Sequence, residues 1–293
     1  MLYIGYDHNV GGVGDFVYIL FQYYYFYRAS GVVDINICIP DHPLKHCIEC
    51  MDAVPPNAQI IRTIACASIS NVFVKYMYNL KPGCAGCALL LYSNMNDYLH
   101  LCVRHAPPSK LAVLRREFRE RVFRVSPRIS NYVDALVAAS PAAQGKYAAI
   151  HVRLGDKYLR GSSPVGSVDE RCSPETVEHK FDRGVRFLRA RLGKTVPIFI
   201  FCDNIGYKTY LAEKYQCCYF KTQVVHVAAE TESAENAVFD TFAEFVLLSR
   251  AVEIFAVSIS NFSQVAAFIY DVPIFTTSCE TGKEGEIYRV AAL

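Results

Sequence analysis

The chain has 293 residues, of which 52% are hydrophobic and 20% are charged, and its formal net charge is +2. This length suits two α/β lobes of roughly 140 residues each or one large domain, with enough apolar residues for substantial cores. The small net charge gives no general electrostatic attraction for nucleic acid, and no apolar run approaches the roughly 20 residues of a membrane span.

The first predicted elements are a short apolar strand at residues 2–6, a glycine-rich turn, and an apolar, aromatic helix at residues 16–28. This order is typical of the opening unit of a Rossmann-like lobe. Gly12, Gly14 and Asp15 lie in the turn, where a ligand can approach the backbone and an anion can face the helix N-terminus. The alternative is that Gly14 and Asp15 only cap the helix.

The sequence holds 12 cysteines and no tryptophan. Cys47 and Cys50, and likewise Cys84 and Cys87, form two C-x-x-C pairs, a zinc-site pattern whose separation here exceeds the usual interval of roughly 15–20 residues. Residues 1–7 resemble a strand with an early acid rather than a secretory signal. We therefore expect a cytoplasmic protein in which most cysteines are reduced and act as small apolar fillers.

The rest of the first half predicts further strands at residues 32–39, 59–64 and 88–92. A helix predicted at residues 110–125 carries five arginines with Glu117 and Glu120 between them. Pairing of opposite charges one turn apart on a solvated helix explains this pattern, and an anionic partner is the alternative. A helix at residues 130–139 then leads to a predicted linker at residues 138–141.

The second half opens with an apolar strand that ends in His151-Val152-Arg153-Leu154-Gly155-Asp156-Lys157. In an open α/β sheet, ligands bind at the carboxyl ends of the strands, and a guanidinium there has the shape for bidentate phosphate binding. Arg153 is thus the leading candidate for a phosphate ligand. The alternative is an interdomain salt bridge between Arg153 and Asp156.

Later elements repeat this pattern of strand ends with polar side chains. A loop at residues 159–173 is predicted to close over the site, and a helix at residues 174–192 follows it. The strand at residues 196–204 ends in Asp203, placed either in the cleft or as a helix cap. A helix at residues 241–251 and a strand at 252–257 precede a polar turn, whose hydroxyl and amide groups at the next helix N-terminus suit a diphosphate.

The motif around Arg153 resembles the H-x-R-R-[GT]-D motif of the α1,2-, α1,6- and protein-O-fucosyltransferases, which are inverting enzymes with two Rossmann domains and GDP-fucose as donor. The resemblance implies an α/β protein of two Rossmann-like lobes of the GT-B type, with residues 1–140 binding the acceptor and residues 141–293 the GDP-sugar. It implies that Arg153 binds the donor phosphates and that His151 lies near the guanosine. Leu154 stands at the motif's second arginine, so Lys157 is the candidate for the missing charge.

Two more segments are similar to the same family. The strand ending at Asp203 resembles its f-f-x-[SC]-D-[DN] segment, and Phe262-Ser263-Gln264-Val265 resembles its F-S-S-Q-V. The resemblance also implies that Glu244, or Asp240 one turn earlier, contacts the guanine base. The donor-binding candidates are together Gly12, Gly14, His151, Arg153, Asp156, Lys157, Asp203, Asp240, Glu244, Ser260, Asn261, Phe262, Ser263 and Gln264.

The glycine turn is similar to the G-G-x-G-[ND] loop of fucosyltransferases and to the G-D of heptosyltransferases. Inverting transfer needs a general base for the acceptor hydroxyl, which the resemblance places at Asp15, with His8 in reserve. We therefore expect an inverting fucosyltransferase with a GDP-fucose donor, a glycan acceptor, and no metal or cofactor. The alternatives are a heptosyltransferase-like enzyme, a non-catalytic nucleotide- or sugar-binding module, and a zinc-dependent interaction protein.

Overall fold

The computed structural model describes residues 2–6, 12–29, 35–39, 43–51, 59–62, 87–91, 106–155, 174–224, 235–278 and 285–290. The chain forms two compact units, residues 1–129 with residue 293, and residues 130–292. The proposed linker at residues 138–141 thus lies inside the second unit. Each unit contains its own mainly parallel sheet, which confirms the predicted α/β class.

The first unit is built on a four-stranded parallel sheet in the order β2-β1-β4-β3. Its elements are β1 (Leu2–Tyr6), α1 (Val13–Ala29), β2 (Ile35–Cys38), β3 (Gln59–Arg62), β4 (Cys87–Leu91) and α2 (Pro108–Arg121). The aromatic face of α1 packs on α2, where the ring of Phe118 lies 5.3 Å from that of Phe21. This contact explains why the predicted helix at residues 16–28 is so apolar.

The arginine-rich helix α2 contacts α1 through Glu117, one of its two acidic residues. Glu117 accepts hydrogen bonds from the hydroxyl of Tyr24 at 2.9 Å and from Nε of Arg28 at 3.3 Å. Arg115 is itself buried, with 8% of its surface exposed. The charges of this helix therefore contribute to packing within the first unit as well as to a solvated face.

The second unit has a six-stranded sheet in the order β10-β9-β8-β5-β6-β7, and only β10 runs antiparallel to its neighbour. Its strands are β5 (Ala148–Val152), β6 (Ile198–Cys202), β7 (Cys218–Tyr219), β8 (Ile254–Ala256), β9 (Ile274–Thr277) and β10 (Ile287–Arg289). Helix α3 (Pro127–Ala138) begins in the first unit and continues into the second. The other helices of the second unit are α4 (Pro174–Leu192), α5 (Ile205–Tyr215), α6 (Glu235–Ser249) and α7 (Asn261–Tyr270).

The central strands β5, β6 and β8 are buried along their whole length, as expected of parallel strands covered on both faces. Ile150, Ile200 and Phe255 face a core formed with α4 and α5. Because side chains alternate along a strand, His151 points to the opposite face, where it stacks on Phe262 of α7. The sheet thus places one histidine of the motif in the interior.

Several elements differ from the sequence-based expectations. The helix expected at residues 241–251 begins at Glu235, the strand expected at 252–257 covers Ile254–Ala256, and α5, β7, β9 and β10 were not predicted. Helix α5 begins where the side chain of Asn204 accepts a hydrogen bond from the Tyr207 N–H at 2.9 Å. The loop expected at 159–173 lies outside the described residues. No helix in the described ranges has the length and apolarity to cross a membrane.

Candidate functional site

The candidate site lies where the strand order of the second sheet reverses. From β5 the chain continues through β6 to β7 on one side, and then returns to β8 and β9 on the other. Ligands of open α/β sheets bind at this switch point, outside the carboxyl ends of the strands. Arg153 follows β5 there, Asp203 follows β6, and residues 257–260 follow β8 and lead into α7.

Arg153 is anchored at this edge and remains accessible. Its guanidinium Nη1 lies 3.0 Å from Oδ2 of Asp203, and 17% of the arginine side chain is exposed. The structure thus pairs Arg153 with Asp203, which is a different acid from the Asp156 of the salt-bridge alternative. Leu154, at the position of the motif's second arginine, is 5% exposed and belongs to the core. Among the described residues of this turn, 153–155, the positive charge therefore comes from Arg153.

Asp203 organises the turn that follows β5. Its carboxylate accepts hydrogen bonds from the N–H groups of Leu154, at 2.9 and 3.1 Å, and of Gly155, at 3.1 Å. Gly155 has φ +106°, a conformation that favours glycine. Burial raises the pKa of the Asp203 carboxyl, and Arg153 and the two N–H groups oppose this shift. The N-cap of α5 is Asn204, so the helix-cap interpretation of Asp203 is wrong.

Ser258 joins the turn after β8 to the turn after β5. Its hydroxyl accepts a hydrogen bond from the Arg153 N–H at 2.9 Å and donates one to the Arg153 carbonyl at 2.8 Å. The serine is 6% exposed. Arg153 is thus held through its main chain on the β8 side and through its guanidinium on the β6 side.

His151 is buried beside this arginine. Its ring centroid lies 5.7 Å from that of Phe262, with the planes 21° apart. Burial, and secondly the positive charge of Arg153, lowers the pKa of His151 to about 3, so the imidazole is neutral at physiological pH. Its Nδ1 is buried without a hydrogen-bond partner. One ring nitrogen of His151, next to Phe262 of α7, therefore makes no hydrogen bond within the protein.

The start of α7 supplies both a cap and polar side chains. Ser260 is the N-cap and accepts a hydrogen bond from the Phe262 N–H at 3.3 Å. Asn261 is exposed, and Phe262 and Gln264 are half-buried. Ser263 is fully buried, and its hydroxyl donates to the Ser260 carbonyl at 3.2 Å. In this conformation Ser263 has no surface for a phosphate, because its hydroxyl is used inside the first helical turn.

The two acids expected near the guanine base lie on α6 and already have partners. Glu244 is 2% exposed and accepts hydrogen bonds from Nζ of Lys208 and from the hydroxyl of Thr222. Asp240 is half-buried and accepts hydrogen bonds from the Gln223 N–H at 2.8 Å and from the hydroxyl of Tyr132. Of the two, Asp240 has more surface to offer a base.

The glycine turn of the first unit forms a helix cap. Oδ2 of Asp15 accepts a hydrogen bond from the Gly12 N–H at 3.0 Å, and the Gly12 carbonyl accepts one from the Phe16 N–H. An acid three residues after the cap that binds back to the cap N–H satisfies an otherwise unpaired donor. Asp15 therefore takes part in the cap of α1, in which Gly12 rather than Gly14 is the cap residue. Gly14 is buried, and Gly12 and Asp15 are half-buried. A catalytic role of Asp15 stays a prediction.

Other candidates lie outside the site or outside the described residues. His8, Asp156 and Lys157 fall in the latter group, as does Cys84. Cys47 is fully buried and Cys50 half-buried. Across the described ranges, no three His, Cys, Asp or Glu side chains are grouped as metal ligands would be.

The sequence-based reasoning missed two residues that the structure makes central. Lys208 is completely buried. Its burial could have been predicted, because it lies in the sequence three, four and seven residues before Leu211, Ala212 and Tyr215, on the apolar stripe of α5. Ser258 follows Val257, the residue after β8, and nothing local distinguishes it from Ser260. Only the sheet register reveals its contact with Arg153.

The fold is similar to that of solved fucosyltransferases over nearly the whole chain. A structure of the NodZ α1,6-fucosyltransferase soaked with GDP-fucose matches with TM-score 0.58 and 11% identity over 99% of this chain and 98% of that one. NodZ from Bradyrhizobium matches in another structure with TM-score 0.53, 13% identity and the same coverage. A mutant of Arabidopsis thaliana FUT1 in complex with GDP matches with TM-score 0.55 and 10% identity, over 96% and 71% of the two chains.

These similarities confirm the fold class predicted from the motifs, two Rossmann-like lobes of the GT-B type. No protein-family model and no curated protein sequence matches the chain. The identities are low enough that the structural match describes the fold alone.

Proposed function

We propose that this protein is an inverting glycosyltransferase that transfers L-fucose from GDP-fucose to a glycan hydroxyl. One observation carries the proposal: Arg153 is anchored yet partly exposed at the switch point of the second sheet, and its main chain is bonded to Ser258 in the turn that leads into α7. A phosphate ligand is the natural occupant of such a position, since a guanidinium and free helix N–H groups both bind phosphate oxygens. The fold that it shares with GDP-bound fucosyltransferases supports the assignment of GDP as the nucleotide and fucose as the sugar.

In the proposed reaction, the bond between C1 of fucose and the β-phosphate oxygen breaks, and a bond between C1 and the acceptor oxygen forms on the opposite face. The bonding electrons leave with GDP, and Arg153 and the start of α7 stabilise the developing charge without a metal. The acceptor proton goes to a general base. Asp15 is the proposed base, with His8 in reserve.

We assign the guanosine of the donor to the region of His151 and α6. A neutral histidine has one ring nitrogen that donates and one that accepts, so it can hydrogen-bond a nucleoside without bringing charge. Asp240 is the acid proposed to recognise guanine, because this residue is half-buried whereas Glu244 is fully enclosed. A carboxylate suits guanine because it can accept from two adjacent N–H groups.

Binding of nucleotides by isothermal titration calorimetry tests the donor assignment. GDP should bind more tightly than UDP or ADP, and Arg153→Ala should weaken GDP binding roughly 10- to 100-fold through the loss of a charge-assisted hydrogen bond. Arg186→Ala is the matched control, because Arg186 is an exposed arginine on α4 paired with Asp182. Equal affinity for all three nucleotides, or no effect of Arg153→Ala, would refute the donor assignment.

Turnover is tested with GDP-fucose against a glycan array, with GDP release as the readout. Asp15→Asn keeps an oxygen that can accept from the Gly12 N–H, so the helix cap survives while the basicity is lost. Transfer should therefore disappear while GDP affinity is retained. Full turnover by Asp15→Asn would exclude this residue as the base, and GDP binding without transfer to any acceptor would indicate a non-catalytic module.

A further inference from the structure

Two buried side chains hold Arg153 from opposite sides of the switch point. Asp203 reaches the guanidinium from the end of β6, and Ser258 reaches the main chain from the end of β8. We propose that Asp203 and Ser258 are positioning residues, which fix Arg153 in one orientation for phosphate binding and do not themselves contact the donor. This inference rests on the proposed function, and it removes Asp203 from the group of direct donor ligands.

Ser258 bonds the main chain of Arg153 at the point where the hydrogen-bond ladder between β5 and β8 ends. The register of the two strands ends with His151 opposite Ala256, and the Val257 N–H still donates to the His151 carbonyl at 2.9 Å. The two strands then separate, and the Ser258 hydroxyl binds both the N–H and the carbonyl of Arg153. A hydroxyl can do this because it donates and accepts at once. One side chain therefore replaces a strand partner at the mouth of the crevice.

Asp203 is enclosed on the other side of Arg153. Only 3% of its side chain is exposed, and its oxygens are directed to Arg153 and to the N–H groups of Leu154 and Gly155. A carboxylate in direct contact with a diphosphate would repel it. Its contact with Nη1 instead holds one nitrogen of the guanidinium in place, and bidentate phosphate binding depends on the orientation of that group.

A double-mutant cycle on GDP affinity separates positioning from direct contact. Asp203→Asn and Ser258→Ala should each weaken GDP binding by no more than the roughly 10- to 100-fold expected for Arg153→Ala, because each displaces the arginine without removing it. In the Arg153→Ala background, either substitution should have no further effect, since each acts through the arginine. Effects that add to that of Arg153→Ala would overturn the proposal.

Matched controls address the possibility that any buried substitution weakens binding. Glu253→Gln alters another buried acid with an arginine partner, Arg191, directly before β8 and therefore at the amino edge of the sheet. Thr276→Val removes another buried hydroxyl, which donates to the Ala256 carbonyl at 2.7 Å. Both controls should retain wild-type GDP affinity. A loss equal to that of Asp203→Asn or Ser258→Ala would show a merely structural effect and refute positioning.

A readout without ligand keeps this proposal separate from the proposed function. The Nε–Hε signal of Arg153 in ¹⁵N NMR should show an ordered guanidinium in the wild type and faster motion in Asp203→Asn, but no change in Glu253→Gln. If the wild type shows no GDP binding, the proposed function fails, whereas the NMR comparison still decides whether Asp203 orders Arg153. Unchanged motion in Asp203→Asn overturns the inference. If Asp203→Asn does not fold, Ser258→Ala in the binding cycle decides it.

Discussion

The buried pair of Lys208 and Glu244 offers a sharp test of how the second unit is stabilised. Nζ of Lys208 is bonded to Glu244, to the Thr222 carbonyl at 3.2 Å and to the Thr222 hydroxyl at 3.1 Å. Burial raises the pKa of Glu244 above its usual value of 4.5, and Lys208 opposes that shift. Lys208→Met should therefore raise the pKa of Glu244 further, because the opposing charge is gone.

The expected magnitude follows from the protonation of Glu244. If the acid stays neutral in the folded variant, ionisation of the unfolded chain disfavours folding by about 3.4 kcal/mol at pH 7 and by about 0.8 kcal/mol at pH 5. Part of this cost is already present in the wild type, because burial raises the pKa of Glu244 there as well. The hydrogen bonds lost with Lys208 add roughly 1–2 kcal/mol to the destabilisation at either pH. Lys208→Met should thus destabilise by roughly 3–5 kcal/mol at pH 7 and by clearly less at pH 5.

The sign is set by the direction of the shift. A carboxyl whose folded-state pKa is raised stabilises the fold at low pH, and this contribution is lost as the pH rises through the folded-state pKa. Urea denaturation followed by circular dichroism at pH 5 and pH 7 measures the difference. Hydrogen exchange of residues 205–224 then assigns the effect to the second unit, since two units need not unfold together.

Lys214→Met is the matched control, because Lys214 lies on the same helix in a partly exposed pair with Glu178. A surface pair of this kind contributes about 1 kcal/mol or less. Equal destabilisation by the two substitutions, or a cost of Lys208→Met that does not depend on pH, would refute the reasoning. Lys208→Met combined with Glu244→Leu should recover much of the lost stability, because no unpaired buried carboxyl group remains.

Two further substitutions test the packing around the sheet, both by urea denaturation. Gly184→Ala should destabilise by roughly 1–2 kcal/mol despite the better helix propensity of alanine, because its Cβ would lie 2.5 Å from Cδ1 of the fully buried Phe255. His151→Phe should preserve the stack on Phe262 and reduce the loss of stability between pH 6.5 and pH 3. In that window the unfolded chain binds a proton that the folded His151, with a pKa of about 3, does not. The free energy of unfolding therefore falls by up to about 1.4 kcal/mol for each pH unit that the pH is lowered.

Each of these substitutions has a counterpart elsewhere in the chain. Gly145→Ala places a Cβ with nothing within 4 Å and should not lower stability. His179→Gln removes an exposed histidine of α4 and should leave the acid-side slope unchanged. A Gly184→Ala variant with the wild-type free energy of unfolding would contradict the packing described above. So would a His151→Phe variant whose stability falls between pH 6.5 and pH 3 as steeply as that of the wild type.

Much of the site's framework follows from short-range patterns. The apolar run before Arg153 determined a buried strand with a charged exit, and the serine before Asn261 determined a helix start, because burial, turns and caps depend on neighbouring residues. The boundaries were less accurate, as for α6, which begins six residues before the expected position. Helix α5 was missed although its apolar stripe is visible in the sequence.

The partners of the polar side chains were decided by the tertiary structure alone. Ser258 and Arg153 are 105 residues apart in the chain, and Lys208 and Glu244 are 36 apart, so no local pattern relates them. The sequence by itself determined the strand that ends before Arg153 and the helix that begins after Ser260, and thereby a polar edge with an arginine. Only the order of the strands placed β5 between β6 and β8, and this order gave Arg153 its two anchors and left Glu244 enclosed with a lysine.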